Sequence, residues 1–185
     1  MTPRRAAVAV ASAVIAASGC SAFKLDNVPP EVMQAFERDG DPMCTPDARR
    51  AQRVASGEDV DGTKVELWLA PGDGGGDVLA VMVQEPGAER MGSGGWCNVD
   101  AAPDIVNTFG GMGMTSADGR EREIVLGWAP EQADAVRADF GDREVVVEVG
   151  ASGYFIVVHS EPGGDDMIGG ASPRLTALDG DGNPL

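Results

Sequence analysis

Few side chains in this sequence could do chemistry. There are 185 residues, with three cysteines and one histidine. A hydrolytic triad needs a base, and His159 is the sole candidate, at the end of an apolar strand pattern where a structural role is expected. A nucleophile elbow requires Gly-x-Ser-x-Gly. Gly150-Ala151-Ser152-Gly153 supplies only its first half, and Gly170-Ala171-Ser172-Pro173 fails as well, so both read as turns. Gly110-Gly111-Met112-Gly113-Met114 lacks the Lys-Ser/Thr ending of a phosphate cradle and reads as a flexible loop. Asp179-x-Asp181-x-Asn183 begins like a calcium loop, but Pro184 stands where the tight turn needs glycine, and no bidentate Glu follows. That segment is expected to be a turn. Asp165-Asp166 is an equally weak cation candidate. No catalytic residue, metal ligand or cofactor site is assigned.

The remaining chemistry lies in the thiols. Arg4 and Arg5 precede a 12-residue apolar run, Ala6 to Ala17, interrupted only by Ser12. A permanent membrane helix needs about 20 apolar residues, so a signal peptide is expected. The following Ala17-Ser18-Gly19-Cys20 resembles the bacterial lipobox, in which the cysteine thiol is acylated before cleavage on its N-terminal side. That resemblance implies lipidation at Cys20 and anchoring to the outer face of a cell membrane, where two or three acyl chains hold firmly. Arg4-Arg5 lacks the flanking residues of a twin-arginine signal, so general secretion is expected. With Cys20 assigned to lipid, Cys44 and Cys97 remain. An even pair in an oxidising compartment reads as one disulfide. The competing reading, a metal pair, lacks other soft ligands.

After cleavage the chain would hold 12 Lys and Arg against 30 Asp and Glu, a formal charge of −18. Such a surface repels nucleic acid and anionic lipid. It also keeps an extracellular body soluble.

The elements that carry these residues are mostly strands. Residues 1–19 form the leader and 20–50 a lipidated tether with a short helical lead-in. Residues 51–185 form the body, in one piece or as halves split near Ser116. Glu31 to Asp39 is expected to form a brief helix, with Pro30 at its start and Gly40 at its end, turning Val32, Met33 and Phe36 to the body. Thr45-Pro46-Asp47 either starts a second short helix through Gln52 or leads directly into a strand. Thr63, Val65, Leu67 and Leu69 alternate with Lys64, Glu66, Trp68 and Ala70, a half-buried strand. Val78 to Val83 is continuously apolar, as in a strand covered on both faces. Pro86 to Gly95 is expected to be a loop before a strand opening at Trp96-Cys97, and Ala101 to Ser116 to be irregular. Ile124 to Trp128 is a strand. Gly141-Asp142 joins two arms of a hairpin, with Val136, Ala138 and Phe140 on one face and Val145, Val147 and Val149 on the other arm. Tyr154 to His159 is a further strand, Glu161 to Ser172 an acidic loop, and Arg174 to Leu178 the last strand. This predicts an all-β fold, a β-sandwich (Ig-like or two-sheet) of about eight or nine strands with a short N-terminal helix. Trp68 falls on the polar side of its strand. It therefore either covers a second layer or is exposed as a possible ligand contact for sugar or peptide.

Val125-Leu126-Gly127-Trp128-Ala129-Pro130 and the closing Leu175 to Leu185 resemble the C-terminal half of a group of small secreted or anchored actinobacterial proteins. Gly62, Trp68, the glycine run and Trp96-Cys97 are similar to that group's first half. In the group a cysteine usually sits in the strand equivalent to Val78–Val83. None does here, and the resemblance makes Cys44 the substituted partner. It implies no catalytic residues. The function expected is that of a non-enzymatic binding or interaction module of the cell envelope, partnered by another envelope protein or a wall polymer. The alternative is an envelope hydrolase using paired carboxylates, although no spacing in the sequence singles out a pair.

Overall fold

The computed structural model describes residues 28–38, 44–73, 75–97, 105–115, 119–141, 143–161 and 173–185, and only the backbone of 94–96, 151 and 161. The described residues form one α-helix and ten strands, all paired antiparallel. The helix is α1 (Pro30–Arg38). The strands are β1 (Gln52–Glu58), β2 (Lys64–Pro71), β3 (Asp77–Gln84), β4 (Met91–Cys97), β5 (Asn107–Thr115), β6 (Glu121–Trp128), β7 (Ala135–Asp139), β8 (Glu144–Glu148), β9 (Tyr154–Glu161) and β10 (Arg174–Leu178). They form a first sheet ordered β1-β2-β3-β4, a central sheet β5-β6-β9 and an outer sheet β10-β7-β8.

The all-β sandwich is as expected, with one more sheet than a two-sheet form provides. The cause is in Ile124–Trp128 of β6 and Tyr154–Val158 of β9, which are buried on both faces. Ile124, Leu126, Trp128, Tyr154, Ile156 and Val158 face the first sheet, against Val65, Leu67, Leu79 and Val81. Val125, Phe155 and Val157 face the outer sheet, against Val136, Ala138 and Ala177. A strand with two apolar faces must be covered twice. β3 is likewise buried along Val78–Val83. Its Val78, Ala80 and Met82 take Val32, Ala35 and Phe36 of α1. The layers therefore run α1, first sheet, central sheet, outer sheet. Among the described residues, the three apolar clusters draw only on positions 28–177.

Local chemistry explains the boundaries. Pro30 and Glu31 open α1 and Arg38 sits in its last turn, matching the helix dipole. The buried positions 32, 35 and 36 follow helical spacing, so Ala35 rather than Met33 points inward. α1 approaches β4 at Gly92, where a methyl group would overlap Ala35 Cβ and Met82. The Thr45–Gln52 stretch resolves into one 3-10 turn, Ala48–Arg50, followed directly by β1. The β7–β8 hairpin closes where Phe140 N–H donates to the Arg143 carbonyl at 2.9 Å, with Gly141 at φ 96°. β4 begins at Met91, within the expected 86–95 loop. The larger correction is 101–116: instead of an irregular segment, Asn107–Thr115 is a strand, and the glycine run 110–114 lies inside it. Glycines contribute no apolar pattern, and β5 owes its extended state to pairing with β6 from Asn107↔Trp128 to Thr115↔Glu121.

Candidate functional site

Even-numbered residues of β6 face the first sheet, and the first of them is Arg122. Its guanidinium is fully buried. Nη2 donates to Asp61 Oδ2 at 2.6 Å, Nη1 to Glu85 Oε1 at 3.2 Å and Nε to Asp59 Oδ2 at 3.3 Å. Ser160 Oγ donates to the same Asp59 oxygen. The acids come from the β1–β2 turn and from the residue after β3. That turn is folded around Gly62, at φ 84°, and closed by Gly62 N–H to the Asp59 carbonyl and Asp59 N–H to the Thr63 carbonyl. Burial alone would raise the Asp61 pKa. The Thr63 N–H, 2.8 Å from Oδ1, and the Arg122 charge outweigh it and hold the carboxyl below its usual value. Burial pulls the Arg122 pKa down, but the bonds to Glu85 and Asp59 and the charge of Asp61 raise it overall. Each of the three nitrogens donates to a carboxylate and the guanidinium is shut off from solvent, so the cluster ties two sheets together.

At the other end of β6, Trp128 closes the same core with rings. It stacks on Phe109 at 5.0 Å, and Phe109 meets Tyr154 edge-on at 6.0 Å. The Trp128 indole N–H is buried without a hydrogen-bond partner. Beyond it opens a pocket of about 520 Å³ lined by Pro130, Glu131, Asp134, Val149, Ser152 and Gly153, among others. Two carboxylates and a hydroxyl share it. Ser152 has φ 62°, among the described residues the one non-glycine at positive φ. His159 cannot serve Ser152 as a base. β9 starts at Tyr154, beside Trp128, and His159 is opposite Glu123, five strand residues away, roughly 17 Å. His159 is instead buried and stacked on Phe140, ring centres 4.2 Å apart.

The residues singled out in the sequence are thus dispersed. Cys20 lies outside the described residues, as does Asp165-Asp166. Cys44 and Cys97 are bridged, their Cα atoms 6.2 Å apart across 53 residues. Trp68 is half-buried among the residues beneath α1, and its indole N–H donates to Glu66 Oε2 at 2.9 Å. Glu66 also pairs with Arg90, which reaches Glu31 of α1 at 3.3 Å. The Asp179 carboxylate accepts backbone N–H groups of Asp181 (3.0 Å) and Asn183 (2.8 Å), closing a turn on itself. Those bonds from Asn183 outweigh the slight burial and lower the Asp179 pKa. Among the described residues no group of three or more His, Cys, Asp or Glu could hold a metal ion, and no helix is long and apolar enough to cross a membrane.

Sequence reasoning missed the Arg122 cluster and the Glu131–Asp134 pocket. Parity could have signalled the first, since Arg122 shares its strand face with Ile124, Leu126 and Trp128. The pocket joins Ala129–Asp134 to Val149–Gly153, a juxtaposition with no local signature. No family model, curated protein or solved structure matches this chain.

Proposed function

We propose that this chain is a lipid-anchored, non-enzymatic binding or interaction module on the outer face of a cell membrane, partnered by another envelope protein or a wall polymer. The observation that carries the reading is Ala17-Ser18-Gly19-Cys20 behind a 12-residue apolar run and Arg4-Arg5. The Cys44–Cys97 bridge fits an oxidising compartment. The resemblance to small secreted or anchored actinobacterial proteins belongs to the same reading. Support for a non-enzymatic body comes from the distance between Ser152 and His159 and from the burial of Arg122 among Asp59, Asp61 and Glu85. Labelling with a clickable fatty acid tests the anchor. The expected result is label on the membrane-bound native chain and none on Cys20→Ala. An unlabelled, full-length native chain in the cytosol overturns it.

One observation favours a second reading, an envelope hydrolase: Glu131 and Asp134 line one pocket. Glycoside hydrolysis uses carboxylates about 5–10 Å apart. Release of reducing sugar from wall polysaccharide, abolished by Glu131→Gln or Asp134→Asn, is the outcome that reading requires. No release by the native chain rejects it.

A further inference from the structure

The central sheet has two unlike flanks. On one, β1 lies against β9 so closely that a methyl group at Gly57 would sit 3.3 Å from Val158 Cγ2, and one at Gly150 would overlap the Val54 carbonyl oxygen. On the other, β5 pairs with β6 and with no further described strand, so its outer row of N–H and C=O groups faces none. Its register with β6 is unbroken from Gly110 to Thr115. Asn107 to Thr115 holds no charged residue, in a chain of formal charge −16. Met112 and Met114 are only partly buried at the rim of the core. The side-chain position of Gly113, on the opposite face, has nothing within 4 Å. The other edges are guarded as edge strands usually are. β8 is bracketed by Glu144 and Glu148, β10 is short and opens at Arg174, and β1 carries Arg53 and Glu58. β4 lies under α1 and is bridged through Cys97.

We infer that β5 is a dimerisation edge, which pairs antiparallel with β5 of a second copy and joins two central sheets into one of six strands. Charge selects this occupant. An acidic body would draw a basic partner through carboxylates, and this edge presents none. A like-charged copy is repelled everywhere except along an uncharged seam. With the two-fold axis at Gly113, Met112 of each chain stands opposite Met114 of the second copy, so each pair covers the other's open core rim. One strand pair makes a small interface, so association is weak, and salt strengthens it by screening the repulsion of the bodies. This inference does not depend on lipid anchoring.

The test uses the body from Ser21 onward, which holds every described core residue and both bridged cysteines. Sedimentation should show a reversible dimer that tightens with added salt. Gly113→Lys should weaken it by about tenfold or more while leaving circular dichroism and melting unchanged. Under mild oxidation Gly113→Cys should cross-link to a dimer, because directly opposed residues lie within disulfide reach. Val146→Cys, exposed on the outer sheet, should remain monomeric. A monomer at every concentration and salt level overturns the inference. So does a dimer indifferent to Gly113→Lys, or equal cross-linking at 113 and 146.

Discussion

The two ends of β6 close the same core by opposite means. At one end Arg122 gathers Asp59, Asp61 and Glu85 from two turns. At the other, Trp128 lies among Phe109 and Tyr154 with its indole N–H unanswered. The ionic end depends on completeness: each member is favourable only while the others are present. The aromatic end depends on area and shape, which can be reduced by degrees. Charge fixes which turns meet there, and rings fill what remains.

Arg122→Ala breaks this contrast most sharply. It leaves three carboxylates facing a buried void and should cost ~3–5 kcal/mol in denaturant unfolding. Arg122→Met combined with Asp59→Asn, Asp61→Asn and Glu85→Gln should recover much of that loss. A quadruple variant no more stable than Arg122→Ala would show that packing, not charge, governs this end. Removing the bridge by Cys44→Ser with Cys97→Ser touches neither end and should cost ~3–4 kcal/mol, with both ends intact by near-ultraviolet dichroism. Gly150→Ala forces β1 away from the turn before β9 and should cost ~1–3 kcal/mol in thermal unfolding. Trp128→Phe sharpens the comparison from the other side. It removes a ring but no hydrogen bond, and should cost only about 1 kcal/mol. Acid should give the smallest effect. The folded Asp61 pKa lies below its unfolded value near 3.9, so its contribution is complete above that pH and fades as pH falls toward the folded pKa. The Asp61 contribution to the melting temperature should therefore fade only below about pH 4, so the decline in acid is less steep in Asp61→Asn.

The sequence revealed these regions unequally. β2, β3 and the β7–β8 hairpin were legible because period-two alternation, a continuous apolar run and a glycine turn are local signals. β5 was not, because Gly110, Gly111 and Gly113 contribute no pattern and the partner that extends them is remote. The aromatic end was half visible: Trp128 and Tyr154 were placed on strands, whereas Phe109 lay in the segment expected to be irregular. The ionic end was hidden, since an arginine between two glutamates reads as surface charge. Its burial depends on four elements meeting, and Arg122 is 63 residues from Asp59 and 61 from Asp61.

The Cys44–Cys97 bridge also has a mechanical side. Tension entering from the N-terminal end reaches α1 first, and that short helix can be peeled from Gly92 and Met82 one turn at a time. The pull then arrives at Cys44, where a covalent strut passes it across to the end of β4. The first sheet is loaded there through its margin, while the layers behind it stay slack. The bridge thus sets a covalent stop between α1 and the first sheet.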